Sequence, residues 1–178
     1  MRKIIAWGLA ACLIAVAAPL TWCAAERNPV MKHAITLAKE GKYDEAIATM
    51  KKVMKSDPSA STLEAHLSLG LIYYKAKQYD NSLNEFTKAS EEKNDSSMAY
   101  YFLGLVNEKM ALGYNEPEVT VLKKKALGSW KRYLEISAQQ SENPSVSHKH
   151  IGISKKESIK RAKKHIMVLE EELKDENK

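Results

Sequence analysis

The residues with the chemistry to bind a metal are His148-Lys149-His150, with Glu142 upstream. Two histidines two positions apart in a polar loop can share an ion, but a stable site needs a third and fourth ligand, and the spacing supplies neither. The isolated His33, His66 and His165 read as ordinary helical histidines, and Lys123-Lys124-Lys125 reads as a solvated helical face. The seven glycines form no phosphate-cradling loop, no serine sits in a nucleophile elbow, and the carboxylates are scattered rather than paired. These patterns predict a protein without catalytic residues, metal site or cofactor.

The elements that must position any functional surface begin after residue 25. Arg2 and Lys3 precede an apolar run from Ile4 to Ala18, Pro19 ends it, and small Cys23 and Ala25 flank a cleavage position. This pattern is a secretory signal over residues 1–25, with a mature chain starting at Glu26. Two rival readings are an uncleaved anchor and a lipid-modified Cys23, for which Leu20 and Thr21 fit and Trp22 does not. Membrane contact is expected only under one of those rivals. The location expected is therefore exported and periplasmic. Both cysteines, Cys12 and Cys23, fall in the removed segment, so no disulfide framework is expected. Taking Arg2 and Lys3 from the 28 basic residues leaves 26 against 22 acidic ones, a net charge of +4. That excess is spread along the chain, not gathered into a basic stripe on a recognised module, which excludes nucleic acid as the expected partner.

From Asn28 to Ser137 apolar residues recur at three- and four-residue spacing, the period of amphipathic helices. Breakers fall at Gly41, Asp57-Pro58, Asn94-Asp95, Gly113 and Pro117. Aligning Tyr43-Asp44 on Tyr79-Asp80 matches Ala46 with Ser82, Ile47 with Leu83, Met50 with Phe86 and Val53 with Ala89, at an offset of 36. Leu69-Gly70 matches Leu103-Gly104, and Leu71 matches Leu105, at an offset of 34. The period is that of a repeated helical hairpin. In this register Gly70 and Gly104 are expected to meet Ser82 and Ala126 at close helix crossings, while Tyr73, Phe86 and Trp130 fill wider gaps.

The stretch "LSLGLIYYKAKQYDNSLNEFTKA", Leu67 to Ala89, resembles the tetratricopeptide repeat family, and "ALGSWKRYLEIS", Ala126 to Ser137, resembles the second helix of a third unit. The resemblance implies an all-α fold, a right-handed α-solenoid of about three hairpins over residues 27–60, 63–96 and 97–137. Three departures stand out: His33-Ala34 replaces Leu-Gly, Lys77 replaces the turn glycine, and Asn94 stands where the closing proline is expected. Trp130 also lies 44 residues after Phe86, ten beyond the period, so a longer third hairpin with a projecting turn is expected, Gly113 ending its first helix and Pro117 opening its second.

Residues 138–153 are polar and read as a linker. Ser154 and Glu157 read as a capping box that opens a helix over 154–178, with Ile159, Ala162, Ile166, Leu169 and Leu173 as one apolar stripe. Glu170, Glu171 and Glu172 oppose its dipole, so packing must hold this helix. It is expected to cap the solenoid.

In the family, the first helices of successive repeats line a concave surface. The resemblance therefore implies a protein-binding face at Met31, Ile35, Leu67, Leu71, Tyr74, Lys75, Tyr101, Leu105, Glu108 and Lys109. Where some members clamp a terminal carboxylate with Lys and Asn, this chain has Met31, Ile35, Leu67 and Leu71, which points to a hydrophobic peptide or helix as ligand. Two functions stay open at this level: a non-enzymatic module of the periplasm or envelope that binds another envelope protein, and a structural subunit that self-associates through the same apolar surface as a homo-oligomer. Whether the face is open or filled by the 154–178 helix is also open.

Overall fold

A computed structural model describes residues 29–57, 61–140 and 154–175. Among these residues there are seven helices and no strand: α1 (Pro29–Lys39), α2 (Tyr43–Ser56), α3 (Leu63–Lys75), α4 (Tyr79–Glu92), α5 (Ser97–Ala111), α6 (Glu118–Gln139) and α7 (Lys155–Asp175). Each packs on its neighbour in sequence, and α3 also touches α1 and α5, so the first helices of the three hairpins lie side by side. The architecture is a helical-hairpin solenoid closed by a seventh helix.

The turns follow from local chemistry. Lys42 N–H donates to Leu37 O at 3.0 Å and Gln78 N–H donates to Tyr73 O at 2.9 Å, closing α1 and α3 with the same motif. That motif needs a left-handed residue, which Gly41 supplies at φ 81° and Lys77 at φ 61°. Lys77 thus keeps the backbone of the glycine it replaces, at a cost that its Cβ imposes. The starts of α3 and α5 are capped by Thr62 and Ser96, whose hydroxyls accept from Ala65 N–H and Ala99 N–H, each at 3.4 Å. Ser154 caps α7 by accepting from Glu157 N–H at 3.2 Å, while the Glu157 carboxylate accepts from Arg161 Nε at 3.1 Å.

Inside the hairpins the packing corrects one expectation. A Cβ on Gly70 would lie 2.6 Å from Phe86 Cε1, and one on Gly104 would lie 2.5 Å from Trp130 Cε2. Phe86 and Trp130, expected in the wider gaps, therefore sit directly on the glycines, while Gly70 meets Ser82 as expected. The reason is volume: a large ring set against a bare glycine backbone fills the gap that a small residue would leave empty. Ser82 remains close, with Oγ donating to Gly70 O at 2.8 Å, and it is fully buried. Ala34 and Met50 take the equivalent places in the first hairpin, both fully buried in one core cluster. There an unbranched thioether can bend around a methyl group where a ring cannot.

The third hairpin is longer than the others, α6 having 22 residues against 14 in α2 and α4. The helix α7 packs on α6 and buries Ser158, Ala162, Leu169 and Leu173. It stands where the first helix of a fourth hairpin would stand. Lys131 and Lys123 on α6 bind Glu170 at 2.7 Å and Glu172 at 3.2 Å, so two of the acids that oppose the α7 dipole have partners on the neighbouring helix. Lys123 is therefore an interhelical partner with a largely covered side chain, not part of a solvated face. Among the described residues no helix is long and apolar enough to cross a membrane.

Candidate functional site

The concave side carries two hollows separated by α3 and α5. The first lies between α1 and α3, about 240 Å³, with Ile35, Leu67 and Leu71 as its apolar floor and Lys39 and Lys75 at its edge. The second, about 830 Å³, lies between α5, the α5–α6 turn and α7. Leu105, Glu108 and Lys109 line it from α5, while Tyr114 of the turn and His165 and Val168 of α7 form the opposite wall.

The residues expected on the concave face divide into three groups. Ile35, Leu71, Leu105, Lys75 and Lys109 line the hollows, the three aliphatics half-buried and the two lysines exposed. Met31 and Tyr74 are half-buried against the core clusters, and the Tyr74 ring meets Tyr79 edge-on at 5.7 Å. Burial raises the Tyr74 phenol pKa above its ordinary value, with smaller contributions from Tyr79 and Glu108. Leu67 and Tyr101 are core residues at 7% and 3% exposure, although Leu67 still reaches the floor of the first hollow. Tyr101 does not belong to an open face. Its ring packs edge-on against Trp130 at 5.1 Å and Tyr133 at 5.2 Å, and α7 covers it. Burial pushes its phenol pKa up, opposed by Arg161 of α7.

Glu108 is also committed. It accepts from Trp130 Nε1 at 2.6 Å and pairs with His165 Nδ1 at 2.8 Å, and the His165 ring stacks on Trp130 at 4.8 Å with a 14° interplanar angle. A deeper link joins Tyr133 Oη and Ser158 Oγ at 2.6 Å. These contacts fix α7 across the third hairpin, so Tyr101 and Trp130 are covered there while Leu105 and Lys109 remain on the cleft between α5 and α7.

A second polar constellation escaped the sequence reading. Ser61 Oγ lies 3.0 Å from His66 Nε2, and His66 Nδ1 lies 2.7 Å from Glu85 Oε2, while Lys88 donates to Glu85 Oε1 at 2.9 Å. The order is that of a serine–histidine–acid relay. A relay needs a cleft to hold a substrate beside its hydroxyl, and none of the hollows described among these residues is lined by the three. What the constellation does is tie α3 to α4 through a carboxylate at 7% exposure. Burial works to raise the Glu85 pKa, and the combined hydrogen bonds and charges of His66 and Lys88 outweigh it, leaving it below the ordinary carboxylate value.

Among the described residues no three histidine, cysteine or acidic side chains group to hold a metal, and His148, His150 and Glu142 lie outside them. The tetratricopeptide repeat family model matches residues 31–59 and 63–96, the first two hairpins. These two hairpins are tetratricopeptide repeats, a type of repeat that generally mediates protein–protein interaction. A comparison with curated proteins found no match.

Proposed function

We propose that this protein is a non-enzymatic interaction module of the bacterial periplasm or envelope that binds a hydrophobic peptide or helix of another envelope protein on its concave face. The observation that carries the reading is the aliphatic row Ile35, Leu71 and Leu105, one residue from each first helix. Stability alone does not ask for a half-exposed apolar row running the length of a solenoid, whereas a partner does. Export is supported by the basic start at Arg2 and Lys3, the apolar run to Ala18 and the small residues before Glu26.

Self-association is the second reading, favoured by Leu112 at 80% and Met167 at 63% exposure on the α5–α6 turn and α7. Light scattering on residues 26–178 separates the two, a monomer being expected. A dimer that Leu71→Glu or Leu112→Glu dissociates supports the structural subunit instead. Affinity purification from intact envelopes then compares the wild type with Leu71→Glu, and the reading requires at least one protein to be lost selectively from the variant. Intact mass decides the location: a mature start at Glu26 is expected, and a diacylglycerol-modified Cys23 replaces the soluble form with a tethered one.

A further inference from the structure

Beside the aliphatic row runs a second one. Lys39, Lys75 and Lys109 are the basic residues in the last turns of α1, α3 and α5. They are spaced by 36 and 34, the same offsets that relate the repeats, so each stands at one place on its hairpin. All three are exposed, and none has an ion-pair partner among the described residues. A lysine at a helix C-terminus compensates the dipole, which accounts for one such residue at a time. It does not account for these three also edging the hollows: Lys39 and Lys75 edge the first and Lys109 the second.

The acids that line these two hollows are already committed, and exposed Asp80, at the start of α4, shares a smaller separate hollow with Lys109. The first hollow has no carboxylate in its lining. In the second, Glu108 is held by Trp130 and His165, and Glu172 by Lys123. Lys164 on α7 faces the same cleft with no ion-pair partner among the described residues. Uncompensated charge lining the two hollows is therefore positive and regularly spaced.

We infer that the concave face takes an acidic amphipathic segment of a partner protein, its apolar side chains on Ile35, Leu71 and Leu105 and its side-chain carboxylates on Lys39, Lys75 and Lys109. The larger cleft beyond Leu105 receives the bulkiest apolar side chain, since Leu112, Tyr114 and Val168 give it apolar walls. This rests on the concave-face reading and adds to it the charge of the partner, the apolar row supplying affinity and the lysine row supplying orientation and selectivity.

The test uses the full mature chain and three short synthetic peptides with a helical pattern: leucine with glutamate, leucine with lysine, and serine with glutamate. Fluorescence anisotropy is expected to show binding of the leucine–glutamate peptide alone, weakening as salt rises. Exposed pairs are individually weak, so Lys39→Glu, Lys75→Glu and Lys109→Glu together should weaken it about tenfold or more. The neutral triple Lys→Gln variant, which disturbs the helix ends less, should weaken it about threefold or more. Reversal of Lys52, Lys55 and Lys125 on the second helices should leave it unchanged. Equal binding of the two leucine peptides, indifferent to the lysine variants but abolished by Leu71→Glu, overturns the charge inference while the concave-face reading survives. Binding that only Lys52, Lys55 and Lys125 control overturns both. Absence of binding by all three peptides also overturns the acidic-segment inference.

Discussion

Replacing glycine by alanine in a helix ordinarily stabilises it, and this protein contains two helical glycines at which the same change should act in opposite directions. At Gly128 of α6 an added Cβ meets nothing within 4 Å. There only the helix preference operates, and Gly128→Ala should stabilise by about 0.5–1 kcal/mol. At Gly104 of α5 the Cβ would lie 2.5 Å and 2.7 Å from Trp130 Cε2 and Cδ2, far inside van der Waals contact. The indole cannot retreat easily: it is fully buried, bonded through Nε1 to Glu108, stacked on His165 and met edge-on by Tyr101. Overpacking costs about 1–3 kcal/mol, and the upper end applies to a ring held on three sides. Subtracting the helix gain leaves Gly104→Ala destabilised by about 2 kcal/mol. The two variants should thus differ by about 3 kcal/mol, or about 6–12 °C in melting temperature for a chain of this size. Urea titration followed by circular dichroism measures both. Equal stabilisation by the two substitutions would show that Trp130 does not lie on α5, and the register of the third hairpin would fall with it.

Lys77→Gly should stabilise by about 0.5–1 kcal/mol, because φ 61° strains a residue with a Cβ, and calorimetry would register any loss as evidence against the turn geometry. Leu169→Ala, at 4% exposure, should cost about 2–5 kcal/mol and redden tryptophan emission as Trp130 is uncovered; an unchanged melt would mean that α7 is not part of the core. Glu85→Gln should destabilise at neutral pH, and the sign of its pH dependence follows from the carboxyl's lowered pKa. A folded-state pKa below the unfolded one gives stability that is full above the unfolded value, about 4.3, and lost as pH falls through the folded value. The gap between wild type and Glu85→Gln should therefore narrow in acid, and a gap constant from pH 7 to pH 3 would remove His66 and Lys88 as its cause.

The fold was legible because helical hairpins are specified locally. Leu69-Gly70 and Leu103-Gly104, the Tyr-Asp starts of α2 and α4, and the breakers between them carry period and boundary at once. Even the missing turn glycine was legible as a position, since Lys77 adopts the backbone that Gly41 adopts. The seating of Phe86 and Trp130 on the glycines was not, because spacing places a residue on a face without saying which opposing residue its ring meets. The apolar and basic rows of the concave face were partly legible, Ile35, Leu71, Leu105, Lys75 and Lys109 being named by the repeat alone. Contacts between distant helices left no trace in spacing. Nothing in the sequence links His165 to Trp130 and Glu108, or Ser158 to Tyr133, and so nothing told that α7 removes Tyr101 from the open surface. The same limit hid His66 and Glu85, which lie 19 residues apart and meet only when α3 packs on α4.

The central claim, that the protein binds a partner along its first helices, is tested most directly by a photo-crosslinking amino acid placed at single positions in the exported protein in living cells. Ile35, Leu71 and Lys75 sample the concave hollow between α1 and α3, and Lys52, Lys88 and Lys125 sample the second helices, every one of them exposed or half-buried. One protein other than the chain itself should be captured from the first three positions and from none of the second three. Capture confined to Lys52, Lys88 and Lys125, or of a second copy alone from Leu71, would contradict the account.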